Sequence, residues 1–306
     1  MSFRLFIYYC TLCGGCAAYL GWVLGRFTAV DNHVGQAGVK GLFLGLTVAL
    51  GLGLVDVLWN YSARQVLQVV PRVFLAVLLG CVGGFLGGVI GQALYGLLQL
   101  SFFLILGWTF TGFLIGASLG VFDFLTRMLR NEDGRGAVRK VRNGLVGGTL
   151  GGLLGGGLYL LLQSGWERVF TDRIDDFWSP SATGFVALGL CIGLLIGLAQ
   201  VLFKEAWLKV ESGFRRGRQM ILSKPETTIG RSEGCDVGLF GDPSVERLHA
   251  RILRQGNQYL LADAGAPGGT FVNEEPVRTP RPLRSGDVIR VGRCVLRFSE
   301  RQQRSQ

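Results

Sequence analysis

Val82-Gly-Gly-Phe-Leu-Gly-Gly-Val-Ile-Gly-Gln-Ala-Leu-Tyr-Gly-Leu-Leu-Gln99 contains no charged residue, and it returns 64 residues later as Val146-Gly-Gly-Thr-Leu-Gly-Gly-Leu-Leu-Gly-Gly-Gly-Leu-Tyr-Leu-Leu-Leu-Gln163. An apolar run of this length reads as a spanning helix, because crossing the hydrocarbon layer takes about 20 helical residues. Four other runs have the same character, so the spans expected are Phe3–Leu24, Gly41–Trp59, Val73–Leu97, Phe102–Leu125, Gly144–Leu162 and Ala182–Phe203. The first resembles a signal peptide only in position: it lacks an Ala-x-Ala end, and further spans follow it.

The repeat sets the architecture. Cys13-Gly-Gly-Cys16 is a fainter third copy of the glycine motif. In the even-numbered helices Gly45, Ala49, Gly53 and Asp56 align with Gly112, Gly116, Gly120 and Asp123, and Gly193 and Gly197 extend the frame to put Lys204 at the place of the aspartates. Three tandem helical hairpins, all crossing in the same sense, are expected, unlike the inverted repeats of many transporters. Of the 48 glycines, 36 precede residue 213, many in overlapping Gly-x-x-x-Gly ladders. Glycine costs about 1 kcal/mol of helix propensity relative to alanine, so the ladders imply close helix packing, within one chain or between copies in a homo-oligomer. A pore lining is the sharper alternative.

Lysine and arginine orient the helices. With the N-terminus inside, inner segments carry fourteen basic residues, among them Arg64, Arg72, the run Arg127, Arg130, Arg135, Arg139, Lys140 and Arg142, and Lys204. Outer segments carry four, Arg26, Lys40, Arg168 and Arg173. Both termini are therefore expected in the cytoplasm of a plasma membrane, bacterial by its compact outer loops, with Arg127–Arg142 against anionic lipid. Asp56, Asp123 and Lys204 fall at inner helix ends and read as an interfacial ion-pair cluster joining the repeats, with an ion pathway as the alternative.

Composition changes near residues 204–217. The chain divides into 1–208, an all-α bundle; 209–217, a juxtamembrane linker; 218–300, an all-β sandwich; and 301–306, a polar tail. Strands are expected at Gln219–Leu222, Glu226–Ile229, Ala250–Arg254, Gln258–Asp263, Thr270–Val272, Val288–Val291 and Cys294–Phe298, where apolar residues alternate between turn residues. Seven cysteines, five of them in apolar runs, fit reduced thiols better than a disulfide framework. Cys10-x-x-Cys13-x-x-Cys16 has no histidine or carboxylate beside it, so it reads as packing; no metal or other cofactor is expected. There is no phosphate-cradling loop ending in Lys-Ser/Thr, and His33 and His249 lack catalytic spacing, so no enzyme is expected. The net charge of +10 is spread without an aromatic-interleaved stripe, which argues against nucleic acid.

Four ordered motifs of the second half resemble the forkhead-associated (FHA) family: Thr228-Ile-Gly-Arg-Ser232, Asp242-Pro-Ser-Val-Glu-Arg-Leu-His-Ala-Arg-Ile252, Gly269-Thr-Phe-Val-Asn273 and Ser285-Gly-Asp-Val-Ile-Arg-Val-Gly292. The resemblance implies an eleven-stranded sandwich that binds phosphothreonine peptides through loops at one end. Arg231 matches the phosphate-pairing arginine, Arg247 the basic position beside it, His249 a buried brace and Asn273 a peptide-contacting asparagine, with Ser232 and Thr270 in the same motifs. Two positions depart. Glu246 stands where the family has a phosphate-binding serine, and Gly268 where it has asparagine. A carboxylate about 4 Å from a phosphate repels each unit of charge by about 4 kcal/mol at an effective dielectric of 20, and the lost serine hydrogen bond is worth about 1.5–3 kcal/mol. Glu246 is expected to pair with Arg231 and Arg247 as a phosphate mimic, with Ser244 as a substitute hydroxyl in the alternative.

The function expected is a membrane-anchored cytoplasmic adaptor that recruits a protein partner, phosphothreonine-containing or not, with weakened phosphothreonine binding. The alternative is a transporter or channel regulated by its FHA domain.

Overall fold

The computed structural model describes residues 3–28, 30–60, 66–129, 135–169, 179–213, 216–222, 224–255 and 258–301. Phe6–Val57 and Val69–Leu202 form one compact unit; Phe203–Gln306, with Met1–Leu5 and Leu58–Gln68, form the other.

Six helices run as α1 (Phe3–Arg26), α2 (His33–Asn60), α3 (Val66–Leu98), α4 (Phe102–Leu129), α5 (Arg135–Val169) and α6 (Pro180–Leu202). All six are long and apolar enough to cross a membrane. Most extend past the apolar run that announces them. The 35 residues of α5 reach about 52 Å at 1.5 Å per residue, because a helix once nucleated gains one hydrogen bond per added residue whether that residue is apolar or not.

Glycine decides how the helices pack. A Cβ at Gly84 would collide with the carbonyl oxygen of Gly41, one at Gly45 with that of Gly80, and one at Gly116 with that of Gly144. The two interleaved ladders of each long helix serve different neighbours. In α3, Gly80, Gly84 and Gly88 meet α2, while Gly83, Gly87 and Gly91 meet α4. In α5, Gly144, Gly148 and Gly152 meet α4, while Gly147, Gly151 and Gly155 meet α6. Gly189 and Gly193 of α6 meet Gly14 and Cys10 of α1, and Gly21 of α1 meets Phe43 and Leu44 of α2. The six helices therefore close into an antiparallel ring in sequence order, and the ladders pack within the chain, one of the two arrangements left open by the sequence. The even-numbered helices are the more buried, with Leu44, Leu52, Ile115, Leu188, Ile192 and Ile196 almost wholly enclosed.

The ring has pseudo-threefold symmetry, and the contacts correct its frame. Cys10, Gly14 and Ala18 of α1 occupy the places of Gly80, Gly84 and Gly88 and of Gly144, Gly148 and Gly152. In the even helices Gly41 and Gly45 correspond to Gly112 and Gly116 and to Gly189 and Gly193. The α2–α4 alignment drawn from sequence is thus displaced by one turn: Arg127, not Asp123, stands at the place of Asp56. A ladder of four-residue spacing matches itself after a four-residue slip, so sequence cannot choose between the frames.

Asp56 is buried at the C-terminal end of α2, and its carboxylate lies 2.6 Å from Lys140 Nζ of α5 and 3.9 Å from Arg72 of α3. Gln200 of α6 donates to the Lys140 carbonyl at 3.2 Å. Among the described residues Asp56 forms ion pairs with Arg72 and Lys140, not with Lys204. The side chain of Asp123 lies outside the described residues, as do Arg64, Arg130 and Arg173. Lys204 follows the end of α6, with its ammonium 4.3 Å from the centre of the Trp207 ring.

The second unit is a two-sheet sandwich of β1 (Ala206–Ser212), β2 (Gln219–Ile221), β3 (Glu226–Gly230), β4 (Val237–Gly238), β5 (Ala250–Gln255), β6 (Gln258–Asp263), β7 (Thr270–Val272), β8 (Glu275–Pro276), β9 (Arg281–Pro282), β10 (Val288–Val291) and β11 (Cys294–Glu300). One sheet has the order β2-β1-β11-β10-β7-β8 and the other β4-β3-β5-β6-β9. Alternate residues, such as Cys294, Leu296 and Phe298 of β11, point into a shared core where the Tyr259 and Phe298 rings stand 5.5 Å apart.

The sandwich begins earlier than its composition indicates. Residues 206–212 pair with β11 along its length and with β2 on the other side, and bury Ala206, Leu208 and Val210, so the segment read as the end of the bundle and a linker is an inner strand of the sandwich. An apolar strand that directly follows an apolar helix carries no compositional break of its own.

Candidate functional site

Three loops at one end of the sandwich are tied together by their backbones. Arg231 and Ser232 follow β3; Glu246, Arg247 and His249 precede β5; Gly268 and Gly269 precede β7. Arg231 N donates to Glu246 O at 2.8 Å and Ser232 N to Arg247 O at 3.0 Å. This approach requires Gly230, because a Cβ there would strike the Arg247 carbonyl.

His249 is fully buried and braces the third loop. Its Nδ1 accepts from Glu246 N at 3.1 Å and its Nε2 faces Gly269 O at 3.1 Å. An accepting Nδ1 beside a carbonyl on Nε2 requires the neutral tautomer with the proton on Nε2. Thr270 is also buried, and its hydroxyl donates to Asp263, whose other oxygen accepts from Gly265 N and Ala266 N. Thr270 therefore shapes the loop and keeps no hydroxyl for a ligand.

Arg231 and Arg247 are exposed on adjoining loops, and Glu246 is half-buried between them. Among the described residues neither arginine forms an ion pair with Glu246, so the internal pairing expected from sequence is not made. Ser232 Oγ accepts from Gly234 N at 3.3 Å, which leaves its own proton for another acceptor. A Cβ at Gly268 would meet only Ser244 O at 3.5 Å and the His249 ring at 4.0 Å, so the residue leaves open space where the family's asparagine would stand.

Asn273 lies elsewhere. It and Glu274 have φ of 50° and 66° and form the two-residue β7–β8 turn, a conformation that asparagine tolerates. Its amide donates to Asp287 Oδ1 at 2.9 Å and its carbonyl accepts from Val288 N at 2.9 Å. It is a turn residue at the far end of β7 from Gly269.

Ser244 is also committed. Its hydroxyl donates to Asp242 Oδ1 at 2.6 Å, while Asp242 Oδ2 accepts from Arg293 N at 2.7 Å. The Ser244 hydroxyl, with the Arg293 and Ser244 amides, holds the Asp242 carboxyl below its usual range. Replacing Asp242 with alanine leaves these donors without their acceptor and is expected to cost about 1–3 kcal/mol at neutral pH, read from urea unfolding followed at the sandwich tryptophan. Because the folded pKa is the lower one, the native aspartate contributes above its unfolded value of about 3.9. That contribution is lost as pH falls through the folded value, so the two proteins converge in acid. A constant difference down to the acid limit would show that the carboxylate is not the stabilising form.

Two sheets of short strands, with two exposed arginines on adjoining loops and a buried histidine bracing the loops, make up an FHA-type sandwich. The family model for the FHA domain matches residues 227–292, and the chain belongs to that family. It is 31% identical over 127 residues to the glycogen accumulation regulator GarA of Mycolicibacterium smegmatis, covering 42% of this chain and 75% of that protein. It is 39% identical over 93 residues to an oxoglutarate dehydrogenase inhibitor of Corynebacterium diphtheriae, covering 30% of this chain and 64% of that protein, so it spans just under two thirds of that relative. A solved structure described as an analysis of phosphothreonine-dependent FHA domain interactions is 32% identical, covers 33% of this chain and 100% of its own, and has a TM-score of 0.30.

Proposed function

We propose that the chain is a membrane-anchored adaptor whose FHA domain captures a phosphothreonine-bearing segment of a cytoplasmic protein, with an affinity lowered by Glu246. The observation that carries this reading is the pair Arg231 and Arg247, exposed on loops locked by backbone bonds and, among the described residues, without an ion pair. A phosphothreonine brings about −1.5 to −2 charges, and a guanidinium fork binds a phosphate through two parallel hydrogen bonds. Ser232 adds a hydroxyl. The chain acts by binding and not by catalysis.

Six long apolar helices support the anchoring, and the excess of basic residues in alternate connections supports cytoplasmic termini in a bacterial plasma membrane. On that orientation Arg127–Arg142 lies against anionic inner-leaflet lipid. The relatives named above are bacterial.

Fluorescence anisotropy of labelled phosphothreonine peptides, titrated with the full chain in non-ionic detergent, tests the site. Binding that requires the phosphate and falls at least tenfold in Arg231→Ala, about 1.4 kcal/mol, is the expected result. Equal binding of phosphorylated and unphosphorylated peptides would leave a phosphate-independent adaptor.

A further inference from the structure

The three hairpins diverge together at one place. His33, Gln36, Ala37 and Lys40 share a face of α2, at spacings that place side chains side by side. In the frame set by the glycine contacts, the same four places on α4 are Leu104, Gly107, Trp108 and Thr111. On α6 they are Ser181, Gly184, Phe185 and Leu188.

Two repeats thus carry an aromatic ring where the first carries Ala37, and a neutral side chain where the first carries Lys40. Trp108 and Phe185 meet edge to face at 5.3 Å, and Tyr159 packs against them at 5.8 and 5.6 Å. Beside Ala37, where symmetry would put a third ring, the helical unit holds a cavity of about 620 Å³. That volume suits a small organic ligand.

The lining divides into two halves. The three rings form one wall, and Gln36, Lys40, Gln92 and Tyr95 supply donors on another. Among the described residues no aspartate or glutamate lines it and Lys40 has no ion-pair partner. The stem of Lys40 rests on α1, where Gly25 leaves room for it: a Cβ there would lie 3.2 Å from Lys40 Cγ. A half-buried ammonium with no counter-charge among the described residues favours an anion, since the charge is otherwise incompletely solvated.

We propose that this cavity binds a small amphipathic anion, with its phosphate or carboxylate on Lys40 and the neighbouring amides and its apolar body against Trp108, Tyr159 and Phe185. The same chemistry is met in the headgroup of an anionic lipid and in a soluble aryl or alkyl phosphate. The inference rests on the helical unit alone and is independent of the reading of the FHA loops.

Isothermal calorimetry on the full chain in non-ionic detergent tests it with two probes, dihexanoyl phosphatidylglycerol and phenyl phosphate, and with zwitterionic dihexanoyl phosphatidylcholine as the control. One saturable site per chain is expected for at least one anion, and none for the zwitterion. Lys40→Gln is expected to weaken binding at least tenfold. Ala37→Phe, which installs the residue α6 already carries at this place, is expected to abolish it while the unliganded melting temperature holds. Binding of the phosphatidylglycerol alone identifies a lipid headgroup, and binding of phenyl phosphate identifies a soluble anion. If neither anion binds, or if Lys40→Gln binds as the native chain does, the proposal is overturned.

Discussion

Replacing Gly148 with leucine is expected to prevent the helical unit from closing, whereas Gly157→Ala leaves it intact or stabilises it. Gly148 faces α4, and even a single Cβ there would collide with the backbone oxygen of Gly112 and lie 3.1 Å from the Gly116 Cα. Those atoms are main chain, so no rotamer change relieves the contact and α4 must move as a body. Overpacking costs about 1–3 kcal/mol where side chains can adjust, and a backbone-on-backbone clash belongs at or above the top of that range. Gly157 is one helical position beyond Gly156 and has nothing within 4 Å. Its alanine variant recovers about 1 kcal/mol of helix propensity. Thermal unfolding in detergent separates the two directly. Equal melting temperatures for Gly148→Leu and the native chain would show that the α4–α5 glycines do not set the packing distance.

Replacing Glu246 with serine is expected to raise affinity for phosphothreonine peptides by about tenfold to a hundredfold, which is about 1.4–2.7 kcal/mol. Two effects add. A carboxylate is removed from beside the incoming phosphate, and a hydroxyl donor is placed where the family has one. The gain stays below the full Coulomb estimate because Glu246 is half-exposed and screened. Its backbone roles are untouched by the exchange: Glu246 O still accepts from Arg231 N and its N–H still reaches His249 Nδ1. Anisotropy titrations of both proteins decide the matter, and an unchanged or weaker affinity in the serine variant would remove Glu246 as the restraint.

Sequence carried the architecture further than it carried the site. Helix number and order were legible because an apolar run of about 20 residues has few other uses. Arg231, Arg247 and His249 were placed in their loops by motif, and all three stand on the adjoining loops that end the sandwich. Asn273 was misplaced because its motif neighbours are close in sequence while β7 separates it from Gly269. Only the φ of its turn and its bonds to Asp287 and Val288 disclose its role. The cavity was invisible, since His33, Gln36, Ala37 and Lys40 look like an ordinary outer helix end until the repeat frame is known.

Periodicity, hydropathy and motif order are local properties of the chain. They determined by themselves that six apolar helices precede an FHA sandwich and that the helices repeat in pairs. Tertiary structure alone decided which glycine faces which helix, that the ring closes through α1 and α6, that Arg72 and Lys140 pair with Asp56, and that residues 206–212 form an inner strand. Each of these depends on which backbone approaches which. A four-residue ladder is indifferent to a one-turn slip, and only the collision of particular carbonyl oxygens with a would-be Cβ removes that freedom.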